Sequence, residues 1–451
     1  MKLEKRFFPH AITKLLLAAL LVATSAQTPS TSSASQLASR PPGQLPGQLK
    51  DPRYYVQQAR GAYQKKDYAV FVENMRAALD LRPTNQTYMY YLAAGYALLG
   101  DRKESLAWLG KGAEMGLVYP ADKEEDFASL RDSDEFKAVL KKIESNRAPV
   151  NRSAVAFTIR EKGLVTEGLA YDPVKETFYV SSVYRRKILS VDKSGVARDF
   201  YTDQENLWSG MGMKVDAGRR HLWVASAAHP QMSNYREEDN GKSCILKIDL
   251  ATGKLLKRYL LDNKPRPHWL GDLVIDARGN VYASDSLSPE VYVIRHDTDR
   301  IEPLIESDQF ASLQGLALSP DEKRLFVADY SKGIFIIDLS TKKVVSLPPA
   351  PASTILGIDG LYLHKGSLIA VQNGVNPHRV VRLPMNKSLD KIERFEVLEA
   401  NNPLFDEPTL GVLVGNMFYY VANSQWGTVD NKGRLAATEL LKDPVILKAR
   451  L

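Results

Sequence analysis

Three residues with side chains suited to polar chemistry open copies of one short phrase. Glu167 opens EGLAYD, Gln314 opens QGLALS and Asp359 opens DGLYLH. Three further copies, MGMKVD from Met211, GDLVID from Gly271 and TLGVLV from Thr409, share the pattern, and the first positions lie 44, 60, 43, 45 and 50 residues apart. Two carboxylates brought together repel unless a cation or a proton sits between them, so Glu167 and Asp359 on one ring would form a charged, reactive mouth. Most copies are followed by a second apolar run (TFYVSS, HLWVAS, NVYASD, RLFVAD, SLIAVQ, MFYYVA). The ends of these runs are Ser181–Ser182, His229, Asp285, Asp329–Tyr330, Asn373 and Asn423 to Trp426. Because a hairpin reverses the chain, they return to the mouth where the phrases begin, and acids, amides, a histidine and aromatics would line one concave surface. That composition suits a small-molecule ligand.

The elements that must position these residues follow from the period. A strand-only repeat of this length buries no apolar face alone, so its copies pack around a common axis. The fold class expected is mainly β: a six-bladed β-propeller of four strands per blade, spanning 153–451, preceded by an α-helical domain. Ala154–Ile159 alternates in polarity and is expected to complete the last blade beside strands from Leu435 to Leu447. Asp172-Pro173, Asp192 to Gly195, Asp216 to Gly218, Asp276 to Gly279 and Ser319 to Asp321 mark hairpin turns, and their aspartates are turn formers.

Residues 51–146 carry a helical pattern. Tyr55, Ala59, Asp67 and Pro83 fall where a tetratricopeptide repeat places an aromatic, a small residue, a turn and a terminating proline, and Ala93 and Asp101 recur 34 residues after Ala59 and Asp67. The aromatic position is not kept, since Met89 follows Tyr55 at that spacing, and the consensus tryptophan is absent. Phe127 to Ile143 reads as a capping helical pair. Such a module either holds a protein partner or braces the propeller.

The remaining stretches concern targeting. Lys2, Lys5 and Arg6, the apolar run Leu15–Ala23 and the small residues Thr24-Ser25-Ala26 read as a signal peptide over 1–26, implying a periplasmic or secreted protein. The apolar run is too short to span a bilayer, and no later segment has that length. Residues 27–50, rich in Ser, Thr, Gln, Pro and Gly, read as a disordered linker. Net charge is +7, of which the first segment supplies +3; the remaining +4 is too scattered for nucleic acid. Cys244 is the one cysteine, which excludes an internal disulfide and cysteine metal clusters, and its apolar neighbours place it in a buried strand. There is no nucleophile elbow, zinc spacing or phosphate-cradling glycine loop. His268 in KPRPHWLGD and His378 in GVNPHRV are loop histidines that either line the channel mouth or are simply solvated.

On the phrases EGLAYDP, GDLVIDARGNVYASD, LQGLALSPDEKRLFVAD and GIDGLYL, in this order and spacing, residues 160 to 430 resemble the senescence marker protein, gluconolactonase and luciferin-regenerating-enzyme group of six-bladed propellers. The resemblance implies one divalent cation, calcium or similar, in the channel. Its family ligands are a glutamate, an asparagine and an aspartate, which fall on Glu167, Gln314 and Asp359. Gln314 departs by one methylene, which loose calcium geometry tolerates. A family asparagine that contacts substrate falls on Gly271, and the adjacent Asp272 is the candidate catalytic base by position. Asp285, Asp329, Asn373, Asn423 and His268 complete the expected mouth. Two functions stay open: a metal-dependent hydrolase of lactones or small esters, and a non-catalytic module that binds a small-molecule ligand at the mouth or a protein through the helices.

Overall fold

The computed structural model describes residues 51–451, so the expected signal peptide and linker lie outside the described residues. Two compact units divide at Glu144/Ser145.

The first unit is helical: Pro52–Gln64, Tyr68–Leu81, Gln86–Leu98, Arg102–Glu114, a 3₁₀ turn Glu125–Leu130 and Asp134–Arg147. Its 34-residue period has a physical origin in the caps. Asp51 and Asn85 cap the first helix of each hairpin, and Asp67 and Asp101 cap the second, each side chain accepting a backbone N–H that the helix leaves free. Ala59 and Ala93 are buried where the helices approach. A Cβ on Gly95 would lie 2.6 Å from Val72 Cγ2, so this helix crossing admits only glycine without rearrangement. Phe127, Leu130, Phe136 and Ile143 close the unit's core.

The second unit is a six-bladed propeller of six four-stranded antiparallel sheets. The six phrases form the innermost strands: Thr166–Asp172, Ser209–Asp216, Leu270–Ile275, Leu313–Leu318, Ile358–His364 and Gly411–Val414, here blades 1 to 6. Ala154–Thr158 pairs with Val445–Arg450 as the outermost strand of blade 6, so both ends of the unit share one sheet and close the ring. The expectation of several strands over Leu435–Leu447 is corrected: only Val445–Arg450 is a strand there. Residues 422–444 instead form a long connection whose Val429 and Leu435 make one isolated bridge.

Apolar side chains fill the wedges between neighbouring blades. Between blades 1 and 2, for example, Ala170, Tyr179 and Ile188 meet Met213, Val224, Leu246 and the buried Cys244. The turn aspartates act as expected: Asp192 accepts from Ser194 N and Val196 N, and Asp276 from Asn280 N. Asp172 adds a bidentate pair with Arg220 of blade 2 at 2.7 and 2.6 Å, tying adjacent blades at the far end of their strands.

Candidate functional site

Each of the first five innermost strands carries the same irregularity at its first two phrase residues. Between Thr166 and Leu169, Gly210 and Met213, Leu270 and Leu273, Leu313 and Leu316, and Ile358 and Leu361, the ladder skips, two residues on the inner strand facing one on its partner. This is a β-bulge, which turns a strand end and re-aims its side chains. The bulge explains the glycine in second place. A Cβ on Gly168 would lie 2.2 Å from Met211 O of blade 2, and one on Gly212 2.4 Å from Asp272 Oδ1 of blade 3. One on Gly315 would lie 2.3 Å from Leu361 N of blade 5. Innermost strands thus crowd the axis, and blade 3 reverses the order, placing Asp272 where blades 1, 2, 4 and 5 have glycine.

The structure groups Glu167, Asp272 and Asp359 electrostatically. All three are buried. Trp426 Nε1 donates to Glu167 Oε2 at 2.8 Å. Asn373 Nδ2 donates to Asp359 Oδ2 at 2.7 Å and to Pro408 O at 2.9 Å, and Tyr330 Oη donates to Asn373 Oδ1 at 3.1 Å. Lys214 Nζ pairs with Asp272 Oδ1 at 3.2 Å, whereas Asp272 Oδ2 is buried without a hydrogen-bond partner. Burial pushes the Glu167 carboxyl well above the usual range, and the charges of Asp359, Glu407 and Asp272 push it further against the Trp426 N–H. Burial raises Asp359 to about 7, opposed by the Asn373 hydrogen bond and aided by Asp272. Both carboxyls are therefore shifted toward the protonated form, burial being the first cause.

The other expected residues divide. Asn373 reaches the ring through Asp359. Gln314 is partly buried, its Nε2 donating to Ser312 Oγ at 3.3 Å and its Oε1 lying 3.7 Å from where a Cβ on Gly271 would stand. Backbone groups engage the side chains of Asp329, Asp285 and Asn423. Asp329 accepts from Ala311 N, Ser312 N, Ser331 N, Ser331 Oγ and Lys332 N. Asp285 Oδ1 accepts from Trp269, Leu287 and Ser288 N–H, while Oδ2 pairs with His268 Nδ1 at 2.7 Å. Asn423 links Val445 N to Asp443 O. His268 thus belongs to a second buried group with Asp285 and Glu290, the ligand atoms all within 4.8 Å of one another. There Tyr292 Oη donates to Glu290 and Arg266 lies 3.7 Å from it, so these oxygens already have partners.

Sequence reasoning missed Lys214, Tyr362 and Glu407. Lys214 Nζ lies 5.6 Å from the centroid of the Tyr362 ring, and Tyr362 Oη accepts from Gly411 N at 2.6 Å. Burial, then the charges of Asp272, Asp359 and Glu167, push the Tyr362 phenol well up. Lys214 carried a legible signal: it is the one charged residue at the fourth position of the first five phrases, where the others have Ala, Val, Ala and Tyr.

Residues 422–444 lie against blades 1 and 2. Gln231 Nε2 donates to Val429 O at 3.5 Å, a Cβ on Gly433 would lie 2.6 Å from Pro230 O, and one on Gly163 2.7 Å from Leu435 Cδ2. This segment delivers Trp426 to Glu167. Among the described residues no helix is long and apolar enough to cross a membrane.

No protein-family model matches this chain, and no curated protein matches it. Solved structures similar to it include a gluconolactonase from Xanthomonas campestris (15% identity, TM-score 0.43, covering 67% of this chain and 92% of that one). A luciferin-regenerating enzyme is similar at 15% identity and TM-score 0.43, over 67% of this chain and 96% of that one. A calcium-binding protein, regucalcin, from Agrobacterium tumefaciens is similar at 14% identity and TM-score 0.45, over 66% and 98%. At these values the likeness concerns the propeller fold alone.

Proposed function

We propose that this is an exported propeller protein whose axial ring binds a divalent cation such as calcium and hydrolyses lactones or related small esters. One observation carries the reading: Glu167 and Asp359 are buried at one ring with raised carboxyl pKa values and a single side-chain donor each. The donor chemistry fits a hard cation, since two carboxylates and the amide oxygen of Gln314 are oxygen ligands. Glu167, Asp359 and Gln314 would hold the ion, which when bound supplies polarisation of a carbonyl and a more acidic water. Asp272 keeps one oxygen unpartnered and is the candidate base for the attacking water. Lys214 fixes its other oxygen, while Asn373 and Tyr330 orient Asp359.

A second reading, a non-catalytic binding module, is favoured by the Lys214–Asp272 pair, which supplies the ring with a cation of the chain's own. The paired helical hairpins support a tetratricopeptide-like surface for a protein partner. The charged end, apolar run and small residues of 1–26 support export. Mass spectrometry of chain recovered from an exporting host is expected to find a mature start near Gln27; intact Met1–Ala26 there overturns export.

The ring is tested by melting the full-length protein with and without calcium. Calcium is expected to raise the melting temperature, Glu167→Ala or Asp359→Ala to abolish the rise, and Gln314→Asn to preserve or enlarge it. No calcium effect on the starting protein, with both alanine variants melting unchanged, would remove the hydrolase reading.

A further inference from the structure

We propose that the rings of His229, Trp269 and Trp426 form a binding subsite beside Glu167 for a neutral ligand that combines a flat apolar ring with a carbonyl-type oxygen. The proposal needs neither a bound cation nor hydrolysis, so it stands apart from the hydrolase reading. The three rings come from separate segments: His229 follows the second strand of blade 2, Trp269 precedes the first strand of blade 3, and Trp426 belongs to the 422–444 connection. His229 stacks on Trp269 with centroids 4.4 Å apart and planes 13° apart, and Trp426 stands 5.6 Å from His229 and 6.4 Å from Trp269. Because Trp426 also donates to Glu167, this aromatic wall adjoins the carboxylate ring directly.

His229 points to an oxygen-bearing occupant. Its Nδ1 accepts the Gln231 backbone N–H at 3.3 Å, so in the neutral ring the proton sits on Nε2. The residue is 3% exposed, and Nε2 is buried with no hydrogen-bond partner. A buried N–H left unmade carries its full desolvation penalty, which an acceptor oxygen on a ligand relieves. Burial also keeps the ring neutral, its pKa pushed down to about 3, so the group stays a single donor across the physiological range. His268, one residue before Trp269, shows the ordinary arrangement, with its ring nitrogen on a carboxylate.

The segment bearing Trp426 is built to hold that ring in place. Gln425, just before it, has a left-handed backbone with φ of 64°, costly for a residue with a side chain. Its side chain is clamped by Lys442, which donates N–H to Oε1 at 2.8 Å and accepts from Nε2 at 3.1 Å. The chemical class follows. The indole and imidazole faces favour a flat ring, the Nε2–H requires an acceptor, and burial disfavours a charged ligand.

The test titrates the full-length protein calorimetrically, in EDTA, with dihydrocoumarin and with δ-valerolactone, which shares the lactone but lacks the aromatic ring. Dihydrocoumarin is expected to bind about tenfold more tightly. His229→Phe keeps an aromatic ring and removes the Nε2–H, together with the Nδ1 acceptor of the Gln231 N–H, and it is expected to weaken dihydrocoumarin about tenfold. Trp426→Phe, which also breaks the link to Glu167, should weaken it comparably. Equal affinity for the two lactones, or unchanged affinity in His229→Phe, overturns the subsite. Turnover is scored separately with calcium, so binding without hydrolysis sinks only the hydrolase reading.

Discussion

Two sets of buried acids sit on adjacent strands of this propeller's blades and differ in how many donors serve them. Asp329 and Asp285, at the ends of second strands, receive five contacts and four respectively, nearly all from backbone N–H groups of the adjoining loops. Glu167, Asp272 and Asp359, on the innermost strands, have one side-chain donor each. Hydrogen bonds to the charged form stabilise a carboxylate, and burial without them does the reverse. The first set therefore holds loops in place, whereas in the second Glu167 and Asp359 are shifted toward the protonated form and Asp272 relies on Lys214. A buried acid's role follows from the donors around it rather than from its depth.

The largest expected effect lies in the well-served set. Asp329→Ala orphans several buried backbone donors at once, each costing about 1 kcal/mol or more, so urea unfolding should show a loss of roughly 5 kcal/mol. A change below about 1 kcal/mol would mean that these contacts are dispensable and the contrast between the two sets is empty.

The ring acids should behave oppositely, with a pH signature. Asp359 titrates at about 7 in the folded chain, against about 3.9 when unfolded. The folded state holds this proton more tightly, so stability is full below about pH 4 and declines as pH rises towards 7. Each pKa unit is worth about 1.4 kcal/mol, giving up to about 4 kcal/mol. Asp359→Asn should remove this part of the decline, and its advantage over the parent should widen from pH 4.5 to pH 8 in denaturant melts. A pH-independent difference would show that Asp359 has another source of compensation.

The smallest of the three effects concerns the built-in counter-ion. Lys214→Met leaves Asp272 unpaired in the interior and should cost about 3 kcal/mol at pH 8. Adding Asp272→Asn should restore most of it, since the uncompensated charge is then gone. If the double variant is no more stable than Lys214→Met, the lysine stem and not its charge is what matters there.

Much of the fold was legible in the sequence because it is set by local pattern. The six phrases are the six innermost strands, the turn aspartates close their hairpins, and the strand at 154–158 completes the last blade. Helix caps 34 residues apart repeat because each hairpin solves the same end problem. The site was legible only in part. That Glu167 and Asp359 open their copies is visible in the chain, and Lys214 stands out as the one charge at its phrase position, whereas its pairing with Asp272 of blade 3 and the influence of Glu407 on Glu167 arise at separations no local pattern reports.

What the sequence determined by itself was the repeat: strand period, hairpin turns and ring closure follow from alternation, turn chemistry and the need to bury one face of every blade. What only the tertiary structure decided was the destination of each polar side chain. A bulge aims the first phrase residues, visible beforehand only as a recurring glycine. Asp285 and Asp329 were claimed by loop N–H groups whose positions depend on packing, and Trp426 was carried to Glu167 by the 422–444 connection. These outcomes depend on distances between segments far apart in the chain, which residue type and spacing do not encode.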